Sequence, residues 1–117
     1  MLFKYCQMFF RIAHDRDQRF PHHHQLTDQL WLSTDSGWQR HGDCVIKGYA
    51  DEVPLADIPT HPDRRQLRGN FCLFETQGDS VEIVHGSERT FPMWRSADAV
   101  TNLYAEGEQV CGQTSAC

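Results

Sequence analysis

Three consecutive histidines, His22, His23 and His24, are the residues in this chain that point most directly to metal chemistry. Imidazole nitrogen is a common zinc ligand, but adjacent residues cannot all aim at one tetrahedral ion, so His22 and His24 are the candidate ligands. Other candidate donors lie at His14, Asp15, Asp17 and His41. No H-x₃-H or C-x₂-C spacing accompanies them, and a polar histidine-rich loop is the alternative interpretation. We therefore expect no cofactor.

The five cysteines raise a second hypothesis, a thiol nucleophile assisted by one of the seven histidines. A catalytic thiol must be exposed and have a lowered pKa. Cys44 and Cys72 lie within apolar strand-like segments, where a free thiol behaves as a small hydrophobic group. The count is odd and no C-x₂-C pair occurs, so we predict a reduced, cytoplasmic protein in which Cys111 and Cys117 are the pair able to meet if oxidised.

Aromatic residues suggest a third hypothesis, a protein contact surface. Trp38 follows a turn, and Trp94 follows Phe91 and Pro92, so each could be half exposed. Aromatic side chains are enriched at interface centres, although most of them belong to cores. The sequence predicts a contact surface around Trp38, Phe91, Pro92 and Trp94, used for a protein partner or for self-association.

Length and charge limit these hypotheses. The chain has 117 residues, with 11 basic and 16 acidic side chains and a formal net charge of −5. This length predicts one domain, which we place at residues 1–107, followed by a flexible tail at 108–117. Net negative charge disfavours binding to nucleic acid or to an anionic membrane. Arg64, Arg65 and Arg68 form a local basic cluster, for which a solvated loop or helix face is the simpler interpretation.

The N-terminal residues 1–12 are rich in apolar side chains, but Lys4, Gln7 and Arg11 interrupt them. The stretch is too short to span a bilayer and carries no cleavage signal, so we expect a buried strand there and no membrane partner.

Alternating apolar residues predict that short strands position all of these groups. The strongest element is a hairpin in which residues 70–76 and 80–85 flank the turn Gln77-Gly78-Asp79. Phe71 and Leu73 alternate with Cys72 and Phe74, so both faces of the first strand are apolar. We therefore expect this strand to be central and covered on both sides.

Further strands are predicted at 2–13, 29–34, 38–40, 43–50 and 99–106. The sequence Asp35-Ser36-Gly37 would join the second and third of these as a hairpin. Residues 14–25 are predicted to form a loop, and 91–94 an edge segment or corner, because Pro92 cannot donate a ladder hydrogen bond. Three prolines limit 51–68 to short helical turns near 55–58 and after Pro62. The expected fold class is α+β, predominantly antiparallel β, arranged as a two-layer sandwich.

Two stretches carry a resemblance to a known family. They are Val45-Ile46-Lys47-Gly48-Tyr49 and Leu67-Arg68-Gly69-Asn70-Phe71-Cys72, followed by the corner Ser87-Glu88-Arg89-Thr90-Phe91-Pro92-Met93-Trp94. Over residues 43–94 the chain resembles the glutaminase domain of class II, or N-terminal nucleophile (Ntn), glutamine amidotransferases, as found ahead of asparagine synthetases. The resemblance implies half of a sandwich of antiparallel sheets, with Gly48 and Gly69 where backbones approach closely or turn.

The catalytic residues of that family are replaced in this chain. The resemblance implies a cysteine exposed as the first residue after Met removal, but the chain begins Met1-Leu2 and its nearest cysteine is Cys6. Lys47 stands where the family has the asparagine of its oxyanion-forming Asn-Gly, and only Gly48 matches. The segments that clamp the glutamine substrate have no counterpart. Without these donors the largest contributions to transition-state stabilisation are lost.

From these observations we expect a small, non-catalytic scaffold that resembles a glutamine amidotransferase and acts as an interaction or assembly protein in the cytoplasm of a bacterium or a phage-infected host cell. Its binding residues are expected to be Trp38, Lys47, Arg89, Phe91 and Trp94. The alternative is a residual thiol-dependent amidohydrolase that uses Cys6 and Gly48. A histidine-rich metal-binding protein is the third hypothesis.

Overall fold

The computed structural model describes residues 8–87, 93–95, 99–101 and 108–110; for 93–95 and 108–110 it describes the backbone alone. Within these residues, ten short strands form two antiparallel sheets. The six-stranded sheet has the order β10-β8-β9-β1-β3-β2, and the four-stranded sheet has the order β4-β5-β6-β7. The strands are β1 (Phe10–Ala13), β2 (His22–Gln25), β3 (Trp31–Thr34), β4 (Gln39–His41), β5 (Cys44–Ala50), β6 (Gly69–Gln77), β7 (Ser80–His85), β8 (Met93–Arg95), β9 (Ala99–Thr101) and β10 (Glu108–Val110). The prediction of a β-rich domain built mainly from antiparallel sheets is confirmed.

The first core lies between the two sheets. Phe10, Ile12 and Leu32 contribute to it from the six-stranded sheet, and Cys72 and Phe74 from the four-stranded sheet. The rings of Phe10 and Phe74 meet edge to face, with their centroids 4.7 Å apart. This is a favourable arrangement for two aromatic quadrupoles. The contact fixes the spacing of the sheets near their centre.

The second core lies on the other face of the four-stranded sheet. Because side chains alternate along a strand, Phe71 and Leu73 of β6 point away from the first core, and both are fully buried with Ile58. Residues 51–68 cover this face with two 3-10 turns, Leu55–Asp57 and Arg64–Gln66. The predicted short turns and the two-sided burial of β6 are confirmed. The molecule therefore has an outer loop layer in addition to the two sheets.

The predicted hairpin around Asp35-Ser36-Gly37 is wrong. β3 pairs with β1 and β2, whereas β4 pairs with β5, so the chain crosses here from one sheet to the other. Asp35, Ser36 and Gly37 form the corner at which the chain crosses. The Asp35 carboxylate accepts a hydrogen bond from the distant backbone N–H of Phe9, and Gly37 has a φ of +99°. The hairpin of β6 and β7 is as predicted, and β4 and β5 form a second hairpin around Gly42.

Residues 22–25 were predicted to belong to a loop, and that prediction is wrong. They form β2, which pairs with β3 through His24 opposite Leu32. An edge strand pairs through its backbone and can face solvent on one side, so it needs no apolar alternation. Of the predicted N-terminal strand, residues 1–7 lie outside the described part, and β1 accounts for Phe10–Ala13. The short β10, Glu108–Val110, falls within the segment assigned to a flexible tail.

Met93–Arg95 is not at a sheet edge. This strand, β8, lies between β9 and β10. Pro92 itself, which motivated the prediction of an edge segment, lies outside the described residues. No helix among the residues that the structure describes is long and apolar enough to cross a membrane.

Candidate functional site

Trp38 and Lys47, two of the predicted binding residues, meet at the carboxylate of Asp35. The Trp38 indole N–H donates to Asp35 Oδ1 over 2.7 Å, and Lys47 Nζ donates to Oδ2 over 3.1 Å. The backbone N–H of Phe9 also donates to Oδ1, over 3.1 Å. Lys47 donates in addition to the carbonyl of Ser36. This cluster ties the crossing segment to both sheets, so Lys47 serves the structure at the place where the resemblance puts an oxyanion donor.

Gly48 is the next residue along β5, and it is held against β6. Its φ is +114°, and a Cβ atom built there would lie 2.6 Å from the Cα of Phe71. Gly69 shows the reciprocal approach, with a φ of +146° and a Cβ position 2.6 Å from the Cα of Ala50. The close backbone approach expected at these two glycines is present. Cys6, the thiol suggested as the partner of Gly48, lies outside the described residues.

The two described thiols are buried. Cys44 faces the second core and Cys72 the first core. Burial, together with the neighbouring Glu75 carboxylate, raises the pKa of Cys44 to about 11. A thiol of this kind is protonated at neutral pH and is a poor nucleophile. Neither residue has the properties of a catalytic cysteine.

We expect Cys44 and Cys72 to resist alkylation by iodoacetamide in the folded protein and to react fully in guanidinium chloride, because reaction requires unfolding of the strands that bury them. Peptide mass spectrometry after timed labelling measures each site separately. Rapid modification of Cys44 under native conditions would contradict the burial described here.

Candidate residues also gather at the edge strands of the two sheets, β2 and β4, which a side-chain contact links. Arg40 of β4 reaches across, and its Nη1 lies 3.4 Å from the carbonyl oxygen of Gln25 in β2. His22 and His24 lie on the same side of β2, because they pair with Thr34 and Leu32, and Leu32 faces the first core. Burial and the charge of Arg40 lower the pKa of His24. We call His22, His24, Trp38 and Arg40 the β2/β4 edge.

Three of the other predicted metal donors, His14, His41 and Asp17, have partners elsewhere, and the fourth, Asp15, borders a surface cavity with His14. His14 Nδ1 lies 2.9 Å from the carbonyl oxygen of Gln29, and His41 Nε2 lies 3.2 Å from Gln39 Oε1. Asp17 is bound by Arg19, as described below. Among the residues that the structure describes, no group of three His, Cys, Asp or Glu side chains is placed to hold a metal ion.

Asp17 organises the outer face of the six-stranded sheet, a role that the sequence did not indicate. Arg19 contacts both of its carboxylate oxygens, with Nη2 2.6 Å from Oδ2 and Nε 3.0 Å from Oδ1. The backbone N–H of Asp17 donates to Ser33 Oγ, and His23 Nε2 lies 3.0 Å from its carbonyl oxygen. Hydrogen bonds from Arg19 lower the pKa of Asp17 despite its burial. In the sequence, this ion pair is indicated by an aspartate two residues before an arginine, a spacing that is common in loops.

Arg64 has a similar role on the opposite side of the molecule. Its Nη2 contacts Glu75 Oε1 at 2.5 Å and Glu82 Oε1 at 2.7 Å, and Arg65 also pairs with Glu82. Hydrogen bonding from Arg64 lowers the pKa of Glu75. Two members of the predicted basic cluster, Arg64 and Arg65, are therefore paired with carboxylates of the four-stranded sheet, and they attach the outer loop layer to that sheet.

The described part of the molecule has surface cavities, of which two can be compared with the candidate site. One, of about 260 Å³, is bordered by Pro62, Arg64, Gln66 and Glu82. The other, of about 330 Å³, is bordered by Arg11, Ala13, His14 and Asp15. Ligand sites in proteins usually combine an apolar lining with a few converging polar groups. Neither cavity brings together a nucleophile, a base and oxyanion donors.

Comparison with known proteins identifies no relative, since no protein-family model, curated protein or solved structure matches the chain. The candidate site is therefore inferred from the positions of its residues. Trp38 and Lys47 are brought together, with His22 and His24 nearby on β2, whereas Trp94 belongs to β8, four strands away from β2 in the six-stranded sheet. Arg89 and Phe91 lie outside the described residues, as does the side chain of Trp94.

Proposed function

We propose that this protein is a non-catalytic β-sandwich that binds another protein in the cytoplasm through the β2/β4 edge, on a scaffold that resembles a glutaminase domain. The observation that carries the proposal is the arrangement at this edge. A side-chain contact from Arg40 to the Gln25 carbonyl links the two edge strands there. Arg40 is exposed, and Trp38, two residues before it, is half buried against Phe74 of the first core. Tryptophan and arginine are the residue types that most often dominate protein interfaces.

The non-catalytic half of the proposal is supported by the residues that the resemblance would place in an active site. Lys47 is held by Asp35, and Gly48 is pressed against the backbone of β6. The described thiols are buried. Each of these four groups therefore has a structural role.

The partner we propose is an extended segment that carries Asp or Glu. Arg40 is exposed and donates to two backbone carbonyls, those of Gly42 and Gln25, each at 3.4 Å. No carboxylate among the described residues lies within ion-pair distance of it, in contrast to Arg19 and Arg64. β4 pairs with β5 on one side, and no described strand pairs with its other side. Backbone addition at such an edge provides affinity, and side chains such as Arg40 select the sequence.

A display library of random linear peptides, selected against the intact protein, tests this proposal. We expect acidic, extended peptides to be enriched and to bind with an affinity that falls about tenfold or more in Arg40→Glu. Arg16→Glu is the matched control, because Arg16 is also exposed but lies over Trp31, with its guanidinium carbon 5.2 Å from the ring centroid. Trp38→Phe should weaken binding if the indole is part of the surface.

Two results would contradict the proposal. Selection that yields no acidic peptide, or equal loss of binding in the two arginine variants, would remove the β2/β4 edge as the contact surface. Release of ammonia from glutamine by the intact protein would remove the non-catalytic assignment, and its loss in Cys6→Ala would locate the activity at that thiol.

A further inference from the structure

We propose that His22 and His24 form a chelating site for a divalent transition-metal cation such as Ni²⁺, Cu²⁺ or Zn²⁺. The inference does not depend on the proposed protein partner. It rests on the juxtaposition of two imidazoles on one face of an edge strand. Both register pairs, His22 with Thr34 and His24 with Leu32, place the two side chains on the same side of the sheet.

The separation of His22 and His24 along the strand allows both rings to reach one cation. Residues i and i+2 of a strand lie about 6.6 Å apart along the chain. Two imidazole nitrogens bound to the same ion at about 2.0–2.1 Å must approach to about 3.3 Å in a tetrahedral arrangement. Rotation of the side chains about their first two torsions can close this gap, because His22 is exposed and His24 is only partly buried. The neighbouring β3 is fixed by its pairing on both sides.

The present contacts of the two rings are long enough to be exchanged for a metal. His24 Nε2 lies 3.4 Å from Thr34 Oγ1, and His22 Nε2 lies 3.4 Å from Ser36 Oγ. Hydrogen bonds of this length are weak. The guanidinium of Arg40, whose Nη1 lies 3.4 Å from the Gln25 carbonyl on the same strand as the two histidines, repels a cation, so we expect moderate affinity in the order Cu²⁺ over Ni²⁺ and Zn²⁺.

Water completes the coordination, because no third His, Cys, Asp or Glu among the described residues joins the pair. His23 provides a control within the same strand. It points to the opposite face, where its Nε2 lies 3.0 Å from the carbonyl oxygen of Asp17. His23 is therefore a histidine of the same strand whose side chain points away from the proposed site.

Isothermal titration of the intact, reduced protein with Ni²⁺ tests the inference. We expect one ion per chain, with the affinity reduced on the order of tenfold or more in His22→Asn and in His24→Asn, because the loss of one ligand removes the chelate. His23→Asn should keep the wild-type affinity. Paramagnetic broadening by Ni²⁺ that is stronger for the imidazole signals of His22 and His24 than for those of His23 gives a second readout.

Three outcomes would overturn the site. They are the absence of saturable Ni²⁺ binding, an affinity that His22→Asn leaves unchanged, and an equal loss in His23→Asn. His22 is exposed and makes a single long side-chain contact, so its substitution should leave the fold intact and keep the test valid even if His24→Asn is poorly folded.

Discussion

Replacement of Gly48 by alanine should prevent folding or lower the free energy of unfolding by more than about 4 kcal/mol. Losses of this size occur where a substitution creates backbone strain or a steric clash. The φ of +114° is strained for any residue with a Cβ, and that atom would overlap the carbonyl oxygen of Asn70 and lie 2.6 Å from the Cα of Phe71. Both obstacles are backbone atoms of the central strand. They cannot rotate away as a side chain would, so β5 and β6 would have to separate.

Gly42→Ala is the matched control. Gly42 also has a positive φ, +61°, but a Cβ there would meet nothing within 4 Å. It should cost about 1–2 kcal/mol, the usual penalty for an alanine in the left-handed region. Urea denaturation followed by tryptophan fluorescence measures both variants. Equal losses in the two variants would show that φ alone matters and that the close approach of β5 and β6 is not as described.

Replacement of Arg64 by methionine should lower the free energy of unfolding at pH 7 by about 2–3 kcal/mol, because it leaves two carboxylates without their shared cation. Glu75 and Glu82 are directly opposite each other on β6 and β7, and the Glu82 side chain is only 8 % exposed. Methionine keeps much of the apolar contact of the arginine stem, so the loss reports mainly on charge. Arg65→Met, which removes an arginine side chain that is 55 % exposed, should cost under about 1 kcal/mol.

The pH dependence separates this explanation from simple loss of packing. In the wild type the pKa of Glu75 is lowered by Arg64. Its contribution is therefore present above the unfolded pKa and is lost as the pH falls through the lowered folded value. In Arg64→Met the pKa of Glu75 should instead be raised by the opposing carboxylate, so stability should increase as the pH falls from 7 towards 5. Chemical denaturation at several pH values measures this. A constant difference between variant and wild type would contradict it.

The sequence predicted the middle of the fold well because several local signals agree there. In residues 69–85, alternation, a glycine turn and apolar residues on both faces all favour one central hairpin, and β6 and β7 have that form. The glycines at 48 and 69 could be predicted only as places of close approach. The positive φ values and the opposing backbone atoms depend on how β5 meets β6, which is long-range information.

Two predictions were wrong, the hairpin around Asp35-Ser36-Gly37 and the loop at residues 22–25. Both structures depend on contacts with distant parts of the chain. Asp35-Ser36-Gly37 reverses the chain, but a turn signal does not say whether the next strand joins the same sheet or the opposite one. That choice depends on the N–H of Phe9 and the ammonium of Lys47, which bind Asp35 from distant parts of the chain. β2 was missed because its strand state comes from pairing with β3, and three histidines carry no apolar pattern.

The candidate site was predicted in part. Trp38 and Lys47 were selected separately, the first for exposure and the second through the resemblance, and the structure brings them to the same carboxylate. Arg40 was not selected, because a lone arginine in a polar segment has no distinguishing pattern. Arg40 stands out because no described carboxylate pairs with it, whereas Arg19 and Arg64 each bind one. This difference can be seen only in the structure.

The three-way binding of Asp35 has a consequence for how the domain opens. One carboxylate holds a backbone amide that precedes β1, the indole between β3 and β4, and the ammonium of β5. If either sheet frays at this corner, donors from the other sheet lose their acceptor at the same moment. Partial opening of either sheet at this corner is thereby penalised, and we expect the two sheets to open together there.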